Sequence, residues 1–292
     1  MKRVLEGRVV AITGASSGIG AATAVACARR RMRLVLLARR QARLAEVARR
    51  VETTGGEAEV VPGDVRNRDD LERLTTAAAR RWGRLDVVVA NAGFGVVAPV
   101  ADTPPDEARE IFDVNVLGTI WAIQAVWPIF EKQRSGHVVI VSSSAAFHGL
   151  PANALYSATK AAQMNLAEGL RVEAGEIGAL VSVVYPVVTG TEFREAQRDH
   201  TGGGPRSGVR IRSPRQTAEE VAEAIVGTIE RPRFAVYPYR RARLLPWLEA
   251  LSPTLTERIR RYPDYYRRLT RSESPAGIAS ATGEPRGRHG KT

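Results

Sequence analysis

Val9-Val10-Ala11-Ile12-Thr13-Gly14-Ala15-Ser16-Ser17-Gly18-Ile19-Gly20 opens the chain as an apolar strand running straight into a glycine-rich turn. The strand is continuously apolar rather than alternating, which fits burial on both faces and hence a parallel sheet. The glycines permit a tight turn and close backbone approach. The helix that follows, Ala21 to Ala28 and beyond, offers unpaired N–H groups and the positive end of its dipole to a pyrophosphate. The spacing G-x-x-x-G-x-G differs from the general G-x-G-x-x-G dinucleotide fingerprint. A tight turn with no ligand is the alternative, and the position between first strand and first helix weighs against it.

The same pattern repeats outward from this stretch. Apolar runs recur at Arg33 to Ala38, Ala58 to Val61, Leu85 to Ala90, His137 to Ser142, Leu180 to Tyr185 and Phe234 to Tyr237. Helical patterns fall between them, at 19–30, 41–54, 67–82, 105–131, 153–175 and 217–230. This alternation predicts one doubly wound α/β domain over residues 1–238, with a parallel sheet of about seven strands in three layers, α/β/α. With 292 residues, 44% of them hydrophobic, the chain can bury a sizeable core.

Two regions break the pattern. Residues 190–216 form a connection long for its type, containing Gly202-Gly-Gly-Pro205, and read either as a substrate lid or as a disordered loop. Residues 239–271 carry apolar positions at helical spacing with arginine between them, and residues 272–292 offer nothing to pack and are predicted to be disordered.

Charge separates the same regions. Residues 231–271 hold eleven arginines against Glu249, Glu257 and Asp264, so most of the net +12 sits in the C-terminal region. A peripheral contact with an anionic membrane surface fits this extension, and so does an amphipathic flap packed on the domain or on a partner subunit. No nucleic-acid-binding motif accompanies it. The opening residues lack the apolar core of a signal peptide, and no stretch is long and apolar enough to span a bilayer, so a cytoplasmic protein is expected. The lone Cys27 excludes an internal disulfide and reads as a helix packing position. No His, Cys or carboxylate cluster has metal-ligand spacing, and His148 reads as a solvated loop residue.

The chemistry lies at strand ends. After the second strand comes Arg39-Arg40, where an NAD site usually presents an acid to the ribose hydroxyls. An arginine there offers donors to a 2′-phosphate and argues for NADP(H); a solvated helix entry is the alternative. Asp64-Val65 follows the third strand, and Asn91-Ala92-Gly93 the fourth. Asp64 reads as an acceptor for an adenine amino group or as a helix cap. Ser142-Ser143-Ser144 ends the fifth strand, and Tyr156-x-x-x-Lys160 follows. Four residues apart on a helix, an ammonium can sit beside a phenol and lower its pKa from about 10 toward the working range, while a serine hydroxyl holds a substrate oxygen.

Taken together, over residues 7 to 237, these motifs and Asn115-Val-x-Gly118 resemble the short-chain dehydrogenase/reductase family. The resemblance implies a Rossmann-like fold and hydride transfer between a nicotinamide and a carbonyl or secondary alcohol. It selects Ser143, thirteen residues before Tyr156, and makes Asn115, Ser143, Tyr156 and Lys160 a catalytic tetrad, with Asn115 holding a water that links Lys160 to solvent. Gly14, Ser16, Ser17, Gly18, Ile19, Gly20, Arg39, Asp64, Val65, Asn91, Ala92, Gly93, Tyr156, Lys160, Pro186, Val188 and Thr191 become contacts for NADP(H). A homodimer or homotetramer is also implied. The chain departs from the family at Ala90-Asn91, where Asn-Asn is usual, and at Pro186-Val187, where Pro-Gly is usual; Val187 is expected to narrow the site.

Phe94, Phe147, Leu150 and Val187, with Val188, are the expected pocket walls, so an apolar ketone or aldehyde is the expected substrate. The rival reading is a sensor or scaffold that binds NADP(H) without turnover. The joint presence of Ser143, Tyr156, Lys160 and Asn115 speaks against it, because a sensor has no need of proton transfer.

Overall fold

The computed structural model describes residues 2–149, 152–187, 189, 216–244, 246, 247, 251 and 252. In chain order the main elements are β1 (Val9–Thr13), α1 (Gly18–Ala28), β2 (Arg33–Ala38), α2 (Gln41–Thr53), β3 (Glu57–Pro62), α3 (Arg68–Trp82) and β4 (Val87–Ala90). Then come α4 (Pro105–Phe112), a π-helical turn (Asp113–Leu117), α5 (Gly118–Gln133), β5 (Gly136–Val141), α6 (Ala154–Glu176), β6 (Ala179–Val184), α7 (Ala218–Glu230) and β7 (Ala235–Val236). The strands form one seven-stranded parallel sheet in the order β3-β2-β1-β4-β5-β6-β7. The strand order reverses between β1 and β4, and a doubly wound sheet opens a crevice at such a point.

The apolar runs are continuous because each strand feeds two cores. Val10, Ile12, Leu34 and Leu36 join Leu44 and Val47 of α2, small residues of α1 and Val221 and Ile225 of α7 in one cluster. Val9, Ala11, Val35 and Leu37 join Leu71 and Leu74 of α3, Val126 and Phe130 of α5 and Leu170 of α6 in the other. Successive side chains point to opposite faces, so a strand covered by helices on both sides reads apolar at every position. The result is the three-layer Rossmann-like single domain that the pattern predicts.

Helix ends carry local signals. Asn67 accepts the Asp69 N–H at the start of α3, and Gly83 closes that helix in the left-handed region. Thr217 and Glu220 form a reciprocal capping box on α7. The predicted helix over 105–131 is interrupted by the π-helical turn at Asp113–Leu117, which turns Asn115 inward to a fully buried position.

Two core residues give direct tests. Cys27 is fully buried, and burial pushes its thiol up to about 12. It should not react with a thiol reagent in the native protein and should react once on unfolding; Ellman titration with and without denaturant checks this. His137 is fully buried, with Nε2 on Ser182 Oγ at 2.8 Å, and burial lowers it to about 3. Below pH ~6.5 the unfolded chain takes up a proton that the folded chain refuses, so the imidazole costs stability as pH falls toward 3. His137→Gln is expected to reduce the loss of stability between pH 7.5 and 5 by about 2 kcal/mol, measured by urea unfolding.

Of the extension at 239–271, only 239–244, 246, 247, 251 and 252 are described. There a short 3-10 helix, Arg240–Leu244, buries Ala242, and Leu244, Trp247 and Leu251 are exposed. The rest of the extension, nearly all of the 190–216 connection and the 272–292 tail lie outside the described residues. No helix among the described residues is long and apolar enough to cross a membrane, and no metal-binding group of His, Cys, Asp and Glu is present among them.

Candidate active site

The glycine turn and the loops that follow β2, β3, β4 and β5 lie at the carboxyl edge of the sheet. After β1, Gly14 adopts φ +65° and lies so close to the β4 loop that a Cβ would meet the Ala92 Cα at 2.8 Å. At Gly20 a Cβ would collide with the Gly14 carbonyl oxygen. These contacts press α1 against its own turn. Asn91 holds the two loops together: its Nδ2 donates to the carbonyls of Thr13 (3.0 Å) and Gly14 (3.3 Å). Thr13 Oγ1 in turn accepts the N–H groups of Asn91 and Ala92, both at 3.1 Å. Asn91 thus shapes the turn, a role its motif did not disclose. Ser17 starts α1 without a side-chain cap, and Ser16 to Ile19 are partly exposed, so first-turn amides stay open to an anion.

A cationic rim follows β2. Arg39 and Arg40 are both exposed, and Arg40 Nη2 donates to Ser17 Oγ at 2.7 Å, reaching back over the glycine turn. Of the pair, Arg40 is therefore the arginine seen to touch the turn, whereas the family resemblance points to Arg39. Asp64 lies opposite. Burial pushes its carboxyl up, but hydrogen bonds from the Arg66 side chain and backbone, with the charges of Arg66 and Arg39, outweigh this and hold it below the usual range. Its acceptor capacity is spent largely on Arg66. Val65 is buried and packs where a Cβ on Gly118 would fall. A cleft of about 670 Å³ borders Ser16, Ser17 and Gly18 and runs between α2 and the start of α7; Ser143, Tyr156 and Lys160 are not among its lining residues.

The three serines after β5 separate by environment. Ser142 is buried and donates to the Lys160 carbonyl at 3.0 Å, tying the strand to α6. Ser144 donates its N–H to the Pro186 carbonyl at 2.9 Å. Ser143 is partly exposed, accepts the Ala145 N–H at 3.1 Å and acts by hydrogen bond on the Tyr156 phenol. Desolvation pushes that phenol up to about 12, and the Ser143 bond works against the rise. Lys160 Nζ sits 5.6 Å from the Tyr156 ring centroid, and burial lowers its ammonium to about 7.

Lys160 Nζ donates to the Val141 carbonyl (3.1 Å) and to Gln163 Oε1 (2.9 Å). Gln163 Nε2 donates to the Asn115 carbonyl at 2.7 Å, and Thr119 Oγ1 donates to the same carbonyl at 2.8 Å. Two side-chain donors thus converge on that carbonyl. The Asn115 side chain holds Phe94, accepting its N–H (3.0 Å) and donating to its carbonyl (2.9 Å), and also donates to Thr159 Oγ1 (3.0 Å).

Among the expected pocket walls, Phe94 is buried in a cluster that Tyr156 packs against. Phe147 lies 4.7 Å from Tyr185 and 6.1 Å from Tyr237, centroid to centroid, within an aromatic group at the β6–β7 edge. Val187 is partly buried, shows no left-handed φ, and donates its N–H to Gln216 Oε1 at 3.1 Å. A buried glutamine just before α7 thus anchors the backbone where glycine is usual. Leu150, Val188 and Thr191 lie outside the described residues. His148 is partly exposed.

Comparison with known proteins gives the family and the fold. Residues 8–202 match the family model described as short chain dehydrogenase. An uncharacterized oxidoreductase of Listeria innocua is 37% identical over 197 residues, 67% of this chain and 79% of that protein. Among solved structures, a short chain dehydrogenase/reductase from Burkholderia phymatum in complex with NAD superposes with a TM-score of 0.78 at 25% identity, covering 87% of this chain and 96% of that one. An alcohol dehydrogenase from the archaeon Thermococcus sibiricus, complexed with 5-hydroxy-NADP, gives a TM-score of 0.69 at 27% identity over 80% of this chain and 96% of its own. The chain belongs to the short-chain dehydrogenase family of oxidoreductases.

Proposed function

We propose that the protein reduces an apolar ketone or aldehyde with NADPH, using Tyr156 as proton donor. The observation that carries this reading is the convergence of Ser143, Tyr156 and Lys160 at the carboxyl edge of the sheet. The turn at Gly14 to Gly20 and the open amides of α1 fit a pyrophosphate. Ser16, Ser17, Arg39 and Arg40 suit a 2′-phosphate, and arginine stands directly after β2 in place of an acid. Asp64, Val65 and Asn91 to Gly93 border the adenosine side; Lys160 and Pro186, with Val188 and Thr191, fall to the nicotinamide side.

When bound, NADPH supplies the hydride. Ser143 holds the substrate oxygen, and Tyr156 gives it a proton as negative charge develops. The phenol is the group that gives its proton in reduction and takes one back in oxidation. The Lys160 ammonium stabilises the phenolate left behind. Gln163, itself bonded to the Asn115 carbonyl, holds that lysine, and Phe94 and Val187 present apolar surface to the substrate. Consumption of NADPH across a panel of apolar ketones and aldehydes, with identification of the alcohol formed, tests the reading. Tight NADPH binding without any alcohol product would favour the sensor instead.

A further inference from the structure

Gln163 lies one turn beyond Lys160 on α6, outside every motif the family reading uses, and is fully buried between the lysine and the π-helical turn. Its amide has only one workable orientation. Oε1 faces an ammonium that can only donate, while Nε2 faces the Asn115 carbonyl, which can only accept, and Thr119 Oγ1 at 2.9 Å. Rotating the amide would set NH2 against ammonium and oxygen against carbonyl oxygen. Both Nε2 protons and both Asn115 carbonyl lone pairs are used, and Lys160 has two of its three N–H groups engaged.

We propose that Gln163 is the positioning residue for Lys160, fixing the ammonium beside Tyr156 and tying it through Asn115 to the π-helical turn. This inference rests on Lys160 serving the proton transfer proposed above. A neutral carboxamide suits this role because it holds the ammonium without cancelling its charge. A carboxylate in the same place would neutralise the field at the phenol, and an aliphatic side chain would leave Lys160 with the Val141 carbonyl alone.

The ionisable groups around the ammonium are few. On its own helix Tyr156 faces it. On the π-helical turn, Asp113 acts on Arg66 instead, and β5 contributes only the Val141 carbonyl. The β4 loop contributes Gly93, where a Cβ would stand 3.6 Å from Nζ. Burial is the cause of the depressed Lys160 pKa, with no charged neighbour acting on it among the described residues.

The test uses Q163E and Q163L in the full chain, with two readouts. The first is the titration of Lys160 followed by NMR of ε-13C-lysine; the chain has four lysines, Lys2, Lys132, Lys160 and Lys291, so K160M assigns the signal. The second is the pH profile of alcohol oxidation with NADP+. Q163E is expected to raise the Lys160 midpoint by about one to three pH units and to move the acidic limb of the profile upward in parallel. Q163L is expected to lower the midpoint and reduce kcat about tenfold. Q163E is nearly isosteric, so it carries the test if Q163L does not fold. An unmoved Lys160 midpoint in folded Q163E overturns the proposal, even if the wild type turns over normally. A shifted midpoint in a protein that reduces no carbonyl would uphold the positioning role and reject the reductase reading.

Discussion

Tyr156→Phe is expected to slow carbonyl reduction by about two to four orders of magnitude while NADPH binding weakens far less. The substitution removes one oxygen and keeps the ring against the Phe94, Val96 and Ile111 cluster, so the fold has no reason to respond. It removes the proton donor held by Ser143. The hydride acceptor would then have to take its proton from water, without an oriented donor. Single-turnover rates and a fluorescence titration with NADPH separate the two effects. A mutant keeping more than about a tenth of the wild-type rate would assign proton donation elsewhere, since an oriented acid contributes about a hundredfold or more.

Replacing Arg39 and Arg40 together by serine is expected to weaken NADPH binding by about a hundredfold or more and to leave NADH binding nearly unchanged. Each hydrogen bond to a charged group contributes about 1.5–3 kcal/mol, and two such donors are removed at an exposed rim where salt and water take back part of it. Arg40 also loses its contact with Ser17 Oγ, so the single Arg40→Ser change should affect the glycine turn more than Arg39→Ser does. Isothermal titration with both cofactors decides. Equal losses for NADH and NADPH would mean that the arginines support the turn rather than read the phosphate.

Much of the fold is legible because burial on both faces writes itself into the strands. The runs at Val9 to Thr13 and Arg33 to Ala38 match β1 and β2 residue for residue, since nearly every position enters one core or the other. The fourth run is longer than its strand: Leu85 and Asp86 are buried but precede β4, where Leu85 N–H bonds Gln133 Oε1 and Asp86 binds the Arg8 and Arg84 side chains. The break at Asp113–Leu117 is not legible, because apolar periodicity continues through it and the cause is the inward turn of Asn115.

At the site, spacing on one helix brings Tyr156 and Lys160 together in advance. The partnership of Lys160, Gln163 and Asn115 spans 48 residues between Gln163 and Asn115 and a π-helical turn, so no local pattern announces it. Gln163 reads as an ordinary polar helix residue until its burial is known. Arg40 is visible beside Arg39 in the sequence, but which of the two bends back to Ser17 depends on the start of α2.

Hydride transfer to a carbonyl carbon can be followed by a label rather than a rate. Wild-type protein is incubated with NADPH carrying deuterium at both C4 positions and with an apolar ketone drawn from the panel. An alcohol bearing one deuterium on the carbinol carbon is expected, and no such product from Tyr156→Phe over the same interval. NADPH bound tightly with no deuterium delivered to any carbonyl carbon would contradict the reductase reading.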